Sequence, residues 1–145
     1  MPLTIFIVDD DEFYQEHLRH HIATQFDCDL KVYRSGEACV DSLFHKPDII
    51  FLDYALNDDV TGAINGREVL KRILKKIPAA KVVMVSGYTE DKDLREKLLN
   101  DGAYDFIAKD DNTLNLVGNV IYKTMAGIQR DNGTKKPGIA SVFLF

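Results

Sequence analysis

Pro47 to Leu56 (PDIIFLDYAL) is the stretch that decides the fold of this 145-residue chain. Its centre, Ile49 to Leu52, is short, apolar at every position and rich in β-branched side chains, which is typical of a fully buried strand in a parallel sheet. Asp53 follows directly. Because open α/β sheets bind ligands beyond the carboxyl ends of their strands, Asp53 is placed for chemistry. This stretch alone leaves open that Asp53 only begins a turn or caps a helix.

Four more short apolar runs have the same character, and stretches of helical periodicity separate them. The strands are predicted at Leu3–Val8, Asp29–Tyr33, Lys81–Val85 and Tyr104–Ala108. The helices are predicted at about 12–26, from Ser35 through Phe44, from Asn65 to before Pro78, at about 90–100 and at about 113–129. Strands that alternate with helices predict an α/β fold, a (βα)5 doubly wound parallel sheet with helices on both faces.

The helix signals also predict which side chains face the core. In the first helix, Phe13, Leu18 and Ile22, with Tyr14 and His17, are predicted to form one side of an amphipathic helix. Ser35 is predicted to cap a second helix that carries Ala38, Cys39, Leu43 and Phe44. Asn65 and Glu68 have the spacing of a capping box for the third helix. Gly102 is placed to end the fourth helix in a left-handed conformation.

Composition predicts a single domain at residues 1–129 and a linker-like tail at residues 130–145 with an apolar C-terminal end, Ile139–Phe145. A net charge of −5 argues against broad nucleic-acid binding. Cys28 and Cys39 are too few for a disulfide framework. No secretory signal and no apolar run of membrane-spanning length is evident, so we expect a cytoplasmic protein without membrane contact.

Five polar residues converge at the carboxyl edge of the predicted sheet: Asp9, Asp10, Asp53, Ser86 and Lys109. Two carboxylates held about 4 Å apart repel each other by about 4 kcal/mol at an effective dielectric constant near 20. A divalent cation relieves this repulsion, and oxygen ligands without His or Cys favour Mg²⁺.

The remaining groups fit a phosphoryl group. Lys109 supplies a positive charge, and the Ser86 hydroxyl with the Gly87 amide can donate hydrogen bonds to phosphoryl oxygens. A carboxylate can attack phosphorus and form an acyl phosphate. The edge of the sheet therefore predicts phosphoryl transfer to an aspartate.

The motifs IVDDDE, IIFLDYAL, VVMVSG and DFIAKD, in this order, resemble the receiver domain of two-component response regulators over about Leu3 to Gln129. The resemblance implies a flavodoxin-like sheet with strand order 2-1-3-4-5. It implies that Asp53 is the phosphoacceptor and a Mg²⁺ ligand, with Asp10 as a direct ligand and Asp9 as a ligand through water. The Ala55 carbonyl would complete the metal site.

The same resemblance implies a switch and its partners. Ala55, Ser86, Gly87 and Lys109 would bind the phosphoryl group, while Ser86 and the Phe106 rotamer would report its presence. A histidine kinase or histidine phosphotransfer protein would be the donor. A downstream protein would bind the face formed by the fourth helix, fifth strand and fifth helix, without direct nucleic-acid contact, and a homodimer is left open. The domain would catalyse only its own phosphorylation and dephosphorylation.

Three features depart from the usual receiver sequence. The loop after Asp53 is long, since the helix-opening Gly66 stands thirteen residues later (66 − 53); its residues 57–65 either reshape the site and partner surface or form a solvated loop. Asp110 replaces the usual proline after Lys109, and we expect a trans peptide there. Tyr88 either shields an acyl phosphate from water or points to solvent.

Two rival functions come from other classes. A pseudo-receiver would bind partners without phosphorylation, and the long loop and Asp110 favour it. A phosphatase would use Asp53 as a transient nucleophile and would turn over an external phosphoester.

Overall fold

A computed structural model describes residues 2–56, 64–87 and 92–131. Its strands are β1 (Leu3–Val8), β2 (Cys28–Tyr33), β3 (Ile49–Asp53), β4 (Val82–Ser86) and β5 (Asp105–Ala108). Its helices are α1 (Glu12–Gln25), α2 (Gly36–Asp41), α3 (Gly66–Lys76), α4 (Leu94–Asn100) and α5 (Thr113–Asp131), and a 3₁₀ turn lies at Leu43–His45. The strands form one parallel sheet in the order β2-β1-β3-β4-β5. The predicted fold class and strand order are confirmed.

The central strand β3 is buried along its whole length, as its apolar sequence predicts. Its side chains alternate between two cores because successive strand residues point to opposite faces. On one face, Ile50 and Leu52 pack with residues of α2, α3 and α4. On the other face, Ile49 and Phe51 pack with residues of α1 and α5. The sheet is therefore covered on both sides, and its polar chemistry is confined to the strand ends.

Side-chain caps set where three of the helices begin. The Asp11 carboxylate accepts hydrogen bonds from the backbone N–H groups of Phe13 (3.0 Å) and Tyr14 (3.2 Å) at the start of α1. Ser35 Oγ accepts from the Ala38 N–H at 3.1 Å, so the predicted cap of α2 is confirmed. At α3, Asn65 Oδ1 accepts from the backbone N–H of residue 68 at 2.9 Å, which confirms Asn65 as the capping residue.

The predicted pattern of α1 is wrong at Phe13, which is 81% exposed, and at His17, which is also exposed, whereas Tyr14 is half-buried. Gln15 is buried instead, together with Leu18 and Ile22. The Gln15 amide donates hydrogen bonds to the carbonyls of Asp9 (3.1 Å) and Tyr33 (3.3 Å). These bonds satisfy the amide nitrogen of Gln15 inside the protein, so the helix can bury a polar residue in the first turn and leave an aromatic one outside.

The predicted second helix is also shorter than expected. It ends at Asp41, and the chain continues into the 3₁₀ turn, where Lys46 is left-handed at φ 55°. Ala38 and Phe44 are exposed, whereas Cys39 and Leu43 are buried. Pro47 keeps the residue before it, Lys46, out of the α conformation, so the 3₁₀ turn ends there.

The C-terminal half follows the prediction more closely. α4 starts at Leu94 rather than near residue 90, and Gly102 follows it at φ +109° as expected. α5 continues to Asp131, two residues beyond the predicted end. Asp58, Asp59, Gly62, Tyr88 and the segment 132–145 lie outside the described residues. In the part of the chain that is described, no helix is both long and apolar enough to span a membrane.

Candidate functional site

The carboxyl edge of the sheet brings three carboxylates together. Asp9 follows β1 directly, and Asp53 is the last residue of β3. Together with Asp10 they offer oxygen atoms that all lie within 4.8 Å of one another. Asp9 and Asp53 are 4% and 5% exposed, so most of their surface is removed from water. Three acids this close form an oxygen-rich group that suits a hard divalent cation.

The backbone around Asp53 is tightly arranged. The Ala55 N–H donates to Asp53 Oδ1 at 3.3 Å, and the buried side chain of Leu56 anchors the turn in the core. The long loop returns at Gly66, where an added Cβ would stand 2.5 Å from the Asp53 carbonyl oxygen and 2.6 Å from that of Tyr54. Only a glycine lets α3 begin this close to the phosphoacceptor candidate.

Lys109 is the cation of the site. Its Nζ lies 3.1 Å from Asp9 Oδ2, 3.5 Å from Asp53 Oδ1 and 4.1 Å from the centre of the Tyr14 ring. An ammonium group over an aromatic face is attracted by the ring quadrupole. The Tyr14 ring therefore lies against one side of the Lys109 ammonium group and keeps it near both carboxylates.

The turn after β5 holds Lys109 without the usual proline. The Lys109 N–H donates to the Ser86 carbonyl at 2.8 Å. Thr113 Oγ1 accepts from the Asp110 N–H at 2.7 Å and lies 2.7 Å from the Ala108 carbonyl oxygen. No peptide bond in the described residues is cis, so the trans peptide expected at Asp110 is confirmed.

The charges of the site do not balance. Burial, together with the nearby charge of Asp9, raises the pKa of Asp53 to about 6. Burial also raises the pKa of Asp9. Burial acts to lower the pKa of Lys109, but the charges of Asp53 and Asp9 outweigh it and leave that pKa raised. One lysine thus faces several carboxylates, which favours binding of an additional cation.

Ser86 and Phe106 lie on the face of the sheet that packs against α3 and α4. Ser86 is 3% exposed, and its hydroxyl has no hydrogen-bond partner among the described residues. Phe106 is half-buried and packs on the core beneath α3 and α4. Strand register pairs Met84 with Phe106 and Ser86 with Ala108. A buried hydroxyl without a partner is costly, so an incoming acceptor oxygen would be favoured at this point.

Each residue predicted for the site falls within the described part of the chain, and Asp9, Asp10, Asp53 and Lys109 meet as one group. Gly87 is close to this group, since an added Cβ would stand 3.5 Å from Lys109 Cδ. The sequence analysis did not identify Tyr14, Gln15 and Thr113 as residues that support the site. For Thr113 a signal existed, because a Thr at the start of a helix after a polar turn is a frequent backbone partner. For Tyr14 and Gln15 there was none.

Comparison with known proteins gives one family model, the response regulator receiver domain, which matches residues 5–120. Among curated proteins, the response regulator protein VraR of Staphylococcus saprophyticus is 30% identical over 111 residues, which cover 75% of this chain and 50% of that protein. A protein-glutamate methylesterase/protein-glutamine glutaminase of Thermotoga maritima is 32% identical over 117 residues, covering 79% of this chain and 32% of that protein. The chain thus spans half or less of these relatives.

Solved structures show the same fold. The response regulator domain of Thermotoga maritima CheB has a TM-score of 0.69 at 28% identity, covering 87% of this chain and 96% of that chain. The signal receiver domain of a putative Luxo repressor protein from Vibrio parahaemolyticus has a TM-score of 0.76 at 20% identity, covering 94% of this chain and all of that chain.

Proposed function

The chain belongs to the response regulator receiver domain family, and on that premise we propose that Asp53 accepts a phosphoryl group from a histidine kinase or a histidine phosphotransfer protein. The observation that carries the proposal is the group of three carboxylates with Lys109 Nζ 3.5 Å from Asp53 Oδ1. In the transfer, a carboxylate oxygen of Asp53 forms a bond to phosphorus while the phosphorus–nitrogen bond to the donor imidazole breaks. The imidazole leaves with the bonding electron pair.

The residues of the site fit Mg²⁺. Asp9, Asp10 and Asp53 supply hard oxygen atoms, and a carbonyl at Ala55 would complete the set. Bound there, Mg²⁺ would reduce the repulsion between the carboxylates and an incoming phosphoryl group. Asp53 is held in place by the Ala55 N–H, and Lys109 offers its charge to the transferred group. The Gly87 backbone and the Ser86 hydroxyl are the proposed donors to the remaining phosphoryl oxygens.

The same proposal assigns a switch to Ser86 and Phe106. The Ser86 hydroxyl has no hydrogen-bond partner in the described part of the chain, which supports a move toward a phosphoryl oxygen, and Phe106 would then turn inward on the same face. Arg95 of α4 donates to the Phe106 carbonyl at 3.0 Å, so this part of β5 is linked to α4. The output is a change in the α4–β5–α5 surface that a downstream protein recognises.

The chain acts as a signalling domain whose only catalysis is its own phosphorylation and dephosphorylation. A cytoplasmic location is part of the proposal, since reduced thiols persist there and both cysteines are free. The roles of the loop after Asp53 and of Tyr88 stay predictions, because residues 57–63 and 88–91 lie outside the described part.

Intact-protein mass spectrometry tests the proposal. The protein is incubated with acetyl phosphate in the presence and absence of Mg²⁺, beside the isosteric variant Asp53→Asn. We expect one added phosphoryl group that requires Mg²⁺ and is absent in the variant. No adduct, together with no binding of beryllofluoride, would contradict it and favour a pseudo-receiver. Turnover of an external phosphoester would favour the phosphatase instead.

A further inference from the structure

Tyr14 is a large aromatic residue at the edge of the sheet that has no part in the chemistry proposed above. It stands in the first turn of α1, and its backbone N–H donates to the Asp11 carboxylate that caps the helix, at 3.2 Å. Its side chain is half-buried and packs on the core between the sheet, α1 and α5. The helix cap and the core packing together fix the ring in place, with Lys109 Nζ lying over its face.

Lys109 depends on such a neighbour because its own backbone does not fix its ammonium group. The Lys109 N–H donates to the Ser86 carbonyl at 2.8 Å, which anchors the start of the side chain. Beyond that point the side chain is a flexible four-carbon stem. The next residue is Asp110 in a trans peptide bond, so no proline stiffens the turn. The position of the ammonium group is therefore set by the groups that touch it.

The charged contacts of Lys109 do not stay constant during the proposed reaction. Its Nζ lies 3.1 Å from Asp9 Oδ2 and 3.5 Å from Asp53 Oδ1. A divalent cation at these carboxylates would compete with the ammonium group for them, and phosphorylation would change the group that Asp53 presents. The Tyr14 ring takes part in neither event, and its face attracts an ammonium group throughout.

Thr113 lies beside the Tyr14 hydroxyl, at the start of α5. Thr113 Oγ1 accepts from the Asp110 N–H at 2.7 Å and donates its proton to the Ala108 carbonyl at 2.7 Å, so it holds the turn after β5 closed. The Tyr14 hydroxyl is buried near this side chain, and in the described part of the chain it makes no hydrogen bond of good geometry. Removing the hydroxyl should therefore cost little, whereas removing the ring would free the Lys109 side chain.

We propose that Tyr14 is a positioning residue for phosphoryl transfer, because its ring holds the Lys109 ammonium group beside Asp53 in a turn that lacks proline. The link to phosphoryl transfer rests on the proposed function, but the contact between Tyr14 and Lys109 can be measured without it. Tyr14 acts through Lys109 and not through the carboxylates. It should therefore affect the rate of transfer and not the binding of a divalent cation.

Nuclear magnetic resonance of the metal-free protein tests the contact. Lysine is labelled with ¹³C at Cε, and Lys109→Gln identifies the Lys109 signal. Protons over an aromatic face are shifted upfield by the ring current, so we expect an upfield Lys109 signal in the wild type and in Tyr14→Phe, and a return toward the free-lysine position in Tyr14→Leu. Lys81 is the internal control, because its Nζ lies 5.0 Å from the centre of the Tyr104 ring and its signal should not change.

Phosphorylation kinetics test the role in transfer. With acetyl phosphate and saturating Mg²⁺, Tyr14→Leu should react about tenfold more slowly, since it loses the attraction of the ring for the ammonium group. Tyr14→Phe keeps the ring and should retain the wild-type rate. Phe13→Leu makes a similar change at the neighbouring residue, which is 81% exposed, and should also retain it. The Mg²⁺ affinity, measured by calorimetry, should stay within about threefold of wild type in all of them.

Circular dichroism and urea unfolding verify that each variant is folded, and Tyr14→Met replaces Tyr14→Leu if the latter is not. A Lys109 signal without an upfield shift in the wild type would overturn the contact. Equal phosphorylation rates in the wild type and Tyr14→Leu would overturn the role in transfer and leave the proposed function intact. A loss of Mg²⁺ affinity as large as the loss of rate would show that Tyr14 only maintains the shape of the edge. A wild type that accepts no phosphoryl group would contradict the proposed function, and with it this role of Tyr14.

Discussion

Asp53→Asn should stabilise the metal-free protein. The Asp53 carboxylate is almost completely buried and lies beside Asp9. Asparagine has the same shape and can still accept the Ala55 N–H on its side-chain oxygen, so the substitution removes the charge and keeps the geometry. The substitution removes the repulsion between Asp53 and Asp9 and the cost of burying a charged carboxylate. It also removes the attraction between Asp53 and Lys109, which limits the gain in stability.

The size of the effect follows from the pKa of Asp53. Burial moves this pKa from an ordinary 3.8 to about 6. At about 1.4 kcal/mol for each pKa unit, ionised Asp53 at neutral pH lowers the free energy of unfolding by up to about 3 kcal/mol. This pKa already includes the attraction between Asp53 and Lys109, so we expect a net gain of about 1–3 kcal/mol. For a domain of this size that raises the melting temperature by about 3–10 °C.

The gain should depend on pH with a definite sign. A raised pKa means that the folded protein binds the Asp53 proton more tightly than the unfolded chain does. The stability that this proton confers is present below about pH 4 and is lost as the pH rises through about 6. The wild type should therefore approach Asp53→Asn in stability as the pH falls from 7.5 to 4.5.

Thermal and urea unfolding in the presence of EDTA measure both effects. Asp27→Asn is the matched control, because Asp27 is an exposed aspartate in the turn between α1 and β2, at the opposite edge of the sheet. Adding Mg²⁺ should then stabilise the wild type more than Asp53→Asn. An Asp53→Asn variant no more stable than wild type at pH 7.5, or a difference that does not change with pH, would refute the reasoning.

Three further predictions concern the site and the buried core. Gly66→Ala should lower the free energy of unfolding by about 2–3 kcal/mol, since its Cβ meets backbone atoms of Asp53 and Tyr54, while Gly87→Ala should change it by less than about 0.5 kcal/mol in the same urea titration. Lys109→Gln should lower the free energy of unfolding by about 2–4 kcal/mol, and adding Asp53→Asn to it should recover much of this loss. Purely additive effects of the two substitutions would argue against an interaction between Lys109 and Asp53. Burial raises the pKa of the Cys39 thiol to about 12, which leaves about one thiolate in ten thousand at pH 8. A thiol reagent should therefore label Cys39 only after urea is added. Rapid labelling of Cys39 in the native protein would be inconsistent with this burial.

The arrangement of the strands could be predicted from the sequence because the signals are strong and local. Each strand is a short apolar run, and each polar residue of the site stands at a strand end. Asp53 and Ser86, for example, are the last residues of β3 and β4. Parallel strands in one sheet then bring these ends to a common edge without any knowledge of distances.

The details that escaped prediction depend on contacts between distant parts of the chain. The burial of Gln15 in place of Phe13 rests on hydrogen bonds to the carbonyls of Asp9 and Tyr33. The ring of Tyr14 gains its role from Lys109, which is far away in sequence. Periodicity reports that a helix has an apolar side, but it does not fix the rotation of the helix when a polar side chain can be satisfied inside.

Borohydride trapping of the phosphorylated protein tests the central claim most directly. The protein is phosphorylated with acetyl phosphate and Mg²⁺, the acyl phosphate is reduced to an alcohol, and peptide mass spectrometry locates the resulting homoserine. The account predicts homoserine at position 53 and at no other aspartate. Homoserine at Asp9 or Asp10, or its absence from a protein that has gained a phosphoryl group, would contradict the assignment of Asp53 as the phosphoacceptor.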